Sequence, residues 1–186
     1  FFMNNNYDVI IIGGGIVGAS AAYNFLLRKK VKLLVIEAEK KLAAHQTGHN
    51  SGVIHSGLYY KPGSLKAVNC IEGRDMLYSF CESRNIPYEK CGKIVIAVSE
   101  NEIPSLNEIE RRGRENGLTG IKRLNKNEIK EYEPFAAGIA GLFVPQTGIV
   151  NFSSVVVAYA DEIKNLGGEI LTETKFIEVV NGCEGD

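Results

Sequence analysis

Several things are missing from this sequence, and each gap closes off a class of function. No run of about eighteen apolar residues occurs, so no segment is long enough to cross a bilayer as a helix. Excess charge of one sign is absent too. Lys and Arg number 21 against 22 Asp and Glu, a formal net charge of -1, and nothing is basic enough to bind a nucleic-acid backbone. The four cysteines, Cys70, Cys81, Cys91 and Cys183, show no CxxC spacing, which fits reduced, structural thiols of a cytosolic-type compartment rather than a disulfide scaffold. Phe1-Phe2 ahead of Met3 has neither the apolar core of a signal peptide nor the Arg-rich pattern of a transit peptide. The 186 residues that remain to be explained have an ordinary globular composition and suit one large domain or parts of two.

What is present is organised around Tyr7 to Glu37. Tyr7 to Ile12 is a short β-branched run of the kind buried on both faces of a parallel sheet. It runs into Gly13-Gly14-Gly15-Ile16-Val17-Gly18, which fits GxGxxG through Gly13, Gly15 and Gly18. The first glycine allows a tight turn, the second brings backbone against a pyrophosphate, and the third lets the helix lie close on the strand. A helix from about Ile16 to Lys29 then aims its N-terminal amides and positive dipole end at the phosphates. Lys32 to Ile36 reads as the second parallel strand. It ends on Glu37, where a carboxylate accepts the ribose hydroxyls of an adenosine and repels a 2′-phosphate. The unit therefore predicts a dinucleotide other than NADP, and the spacing leaves FAD and NAD open.

Past Glu37 lies the densest polar stretch, His45 to Ser64, with all three histidines, His45, His49 and His55. Two of them stand at i, i+4, but no cysteine or carboxylate completes a metal set nearby, so no metal is assigned. A plain solvated loop is one alternative. The preferred reading is a cofactor-facing segment, in which Thr47, Asn50, Ser51 and Gly52 join Gly13, Gly15, Gly18 and Glu37 as binding residues. Ser64 is a candidate N-cap for a helix to about Arg84 whose apolar face (Leu65, Val68, Ile71, Leu77, Tyr78, Phe80, Cys81) packs into a core. A strand is expected over Lys93 to Val98, a surface helix with Arg111, Arg112 and Arg114 on a solvated face from Glu102 to about Gly117, and a short helix from Asn125 stopped by Pro134. Strands follow around a turn at Pro145 to Thr147, then a helix from Ser153 closed by Gly167-Gly168. A strand at Glu169 to Thr172 returns to the first sheet, and a hairpin starts at Lys175 to Val180.

His45 to Lys66, Cys91-Gly92-Lys93 and Val144 to Val150 together resemble the amino-terminal half of the L-2-hydroxyglutarate oxidase/dehydrogenase family, among the FAD-dependent, D-amino-acid-oxidase-like enzymes. The resemblance implies an α/β fold: a glutathione-reductase-type, Rossmann-like FAD-binding domain with part of an antiparallel-sheet substrate domain. The implied limits are 1–88 for the first part of the FAD domain, 89–151 for the partial substrate domain and 152–186 for the return. It also implies FAD as cofactor, a 2-hydroxy dicarboxylate as substrate, and oxygen or a membrane quinone as electron acceptor. The implied location is the cytoplasm or the periphery of the inner membrane. Members of the family are about twice as long, so the chain is expected to be an amino-terminal fragment that is inactive alone.

Oxidising a secondary alcohol needs a base for the hydroxyl proton, and histidine titrates in the right range. His55 is the first choice, because Val53-Ile54 suggest apolar surroundings for it, and His49 the second. A flavin-orienting hydrogen bond, or a covalent tether at His45 or His49, are the other roles open to the histidines. Tyr60 and Lys61 are candidates for the substrate, Lys61 as a cation for a carboxylate. Amine or glycerol-phosphate oxidation by a related flavoenzyme, or a non-catalytic nucleotide-binding chain, remain as alternatives.

Overall fold

The β-branched run ahead of the glycines does become a strand, and a parallel sheet grows from it. The computed structural model describes residues 6–180. In chain order the elements are β1 (Val9–Ile12), α1 (Ile16–Arg28), β2 (Leu33–Ile36), β3 (Val53–Ile54), α2 (Leu65–Ser83), β4 (Tyr88–Glu89), β5 (Lys93–Ala97), a 3-10 turn (Glu100–Glu102), α3 (Ile103–Glu115), β6 (Lys122–Asn125), α4 (Lys126–Tyr132), β7 (Ala140–Val144), β8 (Gly148–Val150), α5 (Phe152–Asn165) and β9 (Glu169–Leu171). They fall into two compact units, one made of the stretches up to Asn50 and from Phe152 onward, the other of Ser51 to Asn151.

The first unit is a parallel sheet in the order β1-β2-β9, with Val9 opposite Leu33 and Leu34 opposite Glu169. The return of Glu169 to Leu171 to the dinucleotide sheet is thus as expected. Side chains alternate across a strand, so Val9 and Ile11 pack with Ala22, Leu26, Leu33, Val35 and Ile163 on the face covered by α1 and α5. Ile10 and Ile12, on the other face, are 54% and 57% exposed. The expectation that β1 is buried on both faces is therefore wrong for the described residues. It fits β2, whose four residues are all buried, because β2 sits between two strands while β1 is the edge. α5 ends in a Schellman arrangement: Gly168 N–H reaches the Ile163 carbonyl at 2.8 Å, Gly167 N–H reaches that of Lys164 at 3.0 Å, and Gly167 takes φ +84°. No strand forms over residues 175–180, so the hairpin expected there is not part of the structure. Cys183 and Phe1-Phe2 lie outside the described residues.

The second unit holds two antiparallel sheets, β3-β8-β4 and β5-β7-β6. β7 and β8 flank the Pro145–Thr147 turn but belong to different sheets, and the short β3, β4 and β6 carry no sequence signal strong enough to have been foreseen. Leu58, Leu106, Leu118, Ile121, Leu142 and Val144 form the core against β5 and α3. Ser64 caps α2 by accepting from Ala67 N–H, and Asn125 with Glu128 makes a full capping box on α4. The apolar face expected of α2 is only partly a core face. Tyr78, Phe80 and Cys81 are buried, while Leu65 is 80% exposed, since a first-turn residue projects beyond the layer it would have to meet. The division into compact units falls at Asn50/Ser51 and at Asn151/Phe152, and it follows packing alone. Compactness and function are separate criteria, because α2 packs with residues 51–151 whatever ligand its neighbours serve.

Candidate functional site

In the glycine turn, conformation and space are divided between different glycines. Gly13 takes φ +104°, and its N–H closes onto the Ile36 carbonyl at 2.8 Å, so the turn itself needs a residue free of Cβ strain. A Cβ on Gly18 would stand 2.0 Å from the Gly13 carbonyl oxygen, which makes Gly18 the close-packing residue. Gly15 is the N-cap of α1, and a Cβ there would meet Thr47 Oγ1 at 3.1 Å. Gly14, which the motif counts as a free position, is also crowded, though by side chains that can yield rather than by backbone. Its Cβ would land 2.3 Å from Leu42 Cδ2 and 3.2 Å from Glu37.

Glu37 lies against this turn. Its Oε2 accepts from Gly14 N–H at 2.7 Å and its Oε1 from Glu39 N–H at 2.9 Å. Burial pushes the carboxyl pKa up, but backbone N–H groups of Glu39, Gly14 and Ala38, with His45 nearby, outweigh it and hold the group below its ordinary value. Glu37 is thus a fixed carboxylate with lone pairs to spare. Thr47 Oγ1 accepts from Ile16 N–H at 3.0 Å at the start of α1, so its own proton is free to be donated. Val17 and Gly18 have no intrahelical acceptor, as at any helix start. Bare glycine backbone, open first-turn amides, a donor hydroxyl and a carboxylate nineteen residues past Gly18 suit the pyrophosphate and ribose of a dinucleotide.

Other candidates of the polar stretch have their polar groups engaged inside the loop. Asn50 Nδ2 donates to the carbonyls of Gln46 and Thr47 at 3.0 and 2.7 Å, closing its own turn. His45 Nε2 lies 3.2 Å from Glu39 Oε1, and His49 Nδ1 is 2.9 Å from the His45 carbonyl. Gly52, at φ +70°, owes its lack of a side chain to the Val150 carbonyl, 2.6 Å from where a Cβ would be. Ser51 is exposed at the start of the second unit.

In the second unit, segment 55–60 and Lys93 enclose a pocket of about 110 Å³. Tyr60 lines it with His55, but Lys61 is exposed and does not. His49, in the first unit, lines a pocket against α5. The surroundings expected for His55 need correction. Ile54, Ser56 and Leu58 are 2%, 1% and 1% exposed and His55 itself is exposed, since alternation that buries its neighbours turns the imidazole outward. The segment is held by its carbonyls. Arg74 donates to Ser56 O at 3.3 Å, Arg112 to Tyr59 O at 3.1 Å, and Asn116 to Gly57 O and Tyr60 O at 3.1 and 2.9 Å. Cys70 Sγ lies 3.5 Å from the His55 carbonyl, and burial raises its thiol pKa. Arg112 and Arg114, expected on a solvated face, thus also reach carbonyls of Tyr59 and Ile121. No role is read for Lys93, Ser56 or Asn116 from the sequence; Ser56 and Lys93 enter it only as members of the segments His45 to Lys66 and Cys91 to Lys93 that carry the resemblance, and Asn116 not at all.

The family model for FAD dependent oxidoreductases (DAO) matches residues 8–186. The chain belongs to the DAO family of FAD dependent oxidoreductases. The cofactor is therefore FAD rather than NAD. The DAO chain is 49% identical over 175 residues to L-2-hydroxyglutarate dehydrogenase of Indibacter alkaliphilus, covering 94% of this chain and 44% of that protein. It is 48% identical over 170 residues to the mitochondrial L-2-hydroxyglutarate dehydrogenase of Nematostella vectensis, covering 91% of this chain and 37% of that one. Among solved structures, the FAD-bound L-alpha-glycerophosphate oxidase of Mycoplasma pneumoniae matches with a TM-score of 0.83 at 27% identity, over 92% of this chain and 46% of that one. Glycine oxidase of Geobacillus kaustophilus, at 22% identity and a TM-score of 0.79 over 91% of this chain and 47% of that one, shares the fold. The chain spans less than half the length of these relatives. Among the described residues no group of His, Cys, Asp or Glu is arranged to hold a metal, no helix is long and apolar enough to cross a membrane, and Cys70, Cys81 and Cys91 are free thiols.

Proposed function

We propose that the protein to which this chain belongs oxidises L-2-hydroxyglutarate to 2-oxoglutarate. The observation that carries this is the 49% identity, over 94% of the chain, to a protein of that activity. FAD, when bound, supplies the acceptor for the hydride-equivalent leaving C2. In this reading Gly13, Gly15 and Gly18 give the pyrophosphate bare backbone, Glu37 accepts from the ribose, and Thr47, Asn50, Ser51 and Gly52 complete the cofactor wall. His55 takes the C2 hydroxyl proton as the C–O bond becomes a carbonyl. That His55 lines one pocket with Tyr60, the residue expected to orient the substrate, is what supports that role over His49. Tyr60 orients the substrate and Lys61 meets it as it enters. The 1–88 and 152–186 stretches form the cofactor domain, and 89–151 is part of the substrate domain. The electrons pass on to oxygen or a membrane quinone, from a cytoplasmic position or one at the periphery of the inner membrane.

The glycerophosphate oxidase likeness, at 27% identity, supports glycerol phosphate as the second reading. Anaerobic mixing of the FAD-loaded, full-length protein with each compound decides between them. Bleaching of the visible flavin band by L-2-hydroxyglutarate, and not by its D-isomer or glycerol 3-phosphate, is the expected result. Bleaching by glycerol 3-phosphate alone would replace the first reading with the second.

A further inference from the structure

We propose that Lys93 and the Ser56 hydroxyl form a subsite for one carboxylate of the substrate, in the pocket that carries His55. The inference rests on the 2-hydroxy dicarboxylate reading above and adds the groups that select an acid.

Lys93 is the first residue of β5 and is half-buried. Its Nζ lies 4.2 Å from the centroid of the Tyr59 ring, a face that holds an ammonium without neutralising it. Most other cations of this unit have acids of their own: Arg74 has Asp75, Lys90 has Glu82, Arg111 and Arg112 have Glu108, Arg114 and Arg123 have Glu110, and Lys122 has Glu128. Among the described residues Lys93 has no carboxylate within ion-pair distance, although it lines a pocket rather than open surface.

Ser56 supplies an independent observation. It is 1% exposed, it lines the same pocket, and its Oγ has no hydrogen-bond partner. A buried hydroxyl without a partner is destabilising unless something that belongs there completes it. A carboxylate does so. One oxygen accepts from Ser56 O–H, and the anion faces the Lys93 ammonium. Among the described residues no acid lines the pocket to oppose an anion. The Arg74 side chain, 10% exposed, donates to the Ser56 carbonyl and so fixes the backbone that carries the hydroxyl. At about 110 Å³ the pocket has room for roughly three or four water-sized groups, which is a carboxylate and the carbons beside it.

The test uses the FAD-loaded, full-length protein with Lys93→Met, Lys93→Arg and Ser56→Ala, each checked for wild-type flavin content. Lys93→Met is expected to raise KM for L-2-hydroxyglutarate about 10- to 100-fold, with kcat within about threefold. Lys93→Arg should recover most of that loss, and Ser56→Ala should raise KM about three- to tenfold. The C5 monoamide of the substrate separates the two carboxylates. A Lys93→Met penalty that vanishes on the amide assigns the subsite to C5, and one that persists assigns it to C1. An unchanged KM in Lys93→Met overturns the proposal. If the wild-type protein oxidises no 2-hydroxy dicarboxylate, the functional reading fails separately, and glutarate binding read from the flavin spectrum decides the subsite. Tenfold weaker binding in Lys93→Met then supports it, and equal or absent binding overturns it.

Discussion

Replacing Glu37 with glutamine keeps the shape of the side chain and removes one acceptor, and the structure says what that costs. The carboxylate accepts two backbone N–H groups, Gly14 at 2.7 Å and Glu39 at 2.9 Å. A carboxamide has one oxygen, so it can serve one of them and must turn an NH₂ toward the other. The loss is one charge-assisted bond at a partly exposed site, about 1–3 kcal/mol of folding stability. Ribose hydroxyls lose an acceptor of the same kind, so FAD affinity should fall by a further ~1–3 kcal/mol, roughly five- to hundredfold. The two effects separate experimentally: thermal melting of the apoprotein reads the first, and titration with FAD the second. The pH dependence has a definite sign. Because the folded pKa of Glu37 is below its ordinary value of 4.5, its contribution is fully present above that value and is lost as pH falls through the lower, folded one. The stability gap between wild type and Glu37→Gln should therefore be flat at neutral pH and close below about pH 4.5. Equal melting at neutral pH would refute the two-bond description of the turn, and equal FAD affinity would refute the ribose contact.

Three further outcomes are expected. Gly18→Ala forces a Cβ against a backbone oxygen 2.0 Å away, which cannot rotate aside, so it should destabilise the fold by about 1–3 kcal/mol in chemical denaturation; a neutral substitution would show that helix and strand do not approach so closely. His55→Ala in the full-length protein should lower the rate of flavin reduction by substrate about 10²- to 10⁴-fold with flavin still bound, and fast reduction would place the base elsewhere. Asn116→Ala removes the donor to Gly57 O and Tyr60 O and should raise KM for the substrate while costing about 1–3 kcal/mol of stability; a change in stability with KM untouched would separate the loop from substrate binding.

Local signals carried the parts of the fold that were legible in the sequence. The glycine turn, α1, the Ser64 cap of α2, the short helix from Asn125 and the Gly167-Gly168 stop each rest on residues within one or two turns of each other, so the chain read in order reveals them. β3, β4 and β6 span two to four residues and exist only because a distant partner strand pairs with them, which no local period announces. Burial failed in the same way. Ile10 and Leu65 look like core residues from composition, and their exposure depends on what the tertiary layers leave uncovered. Within the candidate site, the roles of Gly13, Gly15, Gly18 and Glu37 follow from a motif whose spacing is set by backbone geometry. Lys93, Asn116 and Ser56 come from β5, from the end of α3 and from the segment after β3, and only the folded chain brings them to one loop.

The way segment 55–60 is held has a consequence for how its motion should be measured. Its anchors from Arg74, Arg112 and Asn116 run to its carbonyl oxygens, so they tie down the backbone without occupying its amides. Hydrogen exchange reports only whether an N–H is released. An experiment of that kind will score these residues, apart from Tyr60, whose N–H bonds to Gly57 O at 3.3 Å, as looser than they are, and relaxation measurements of the fast motion of the same amides will score them as stiff. For this loop, disagreement between the two techniques is the signature of rigidity.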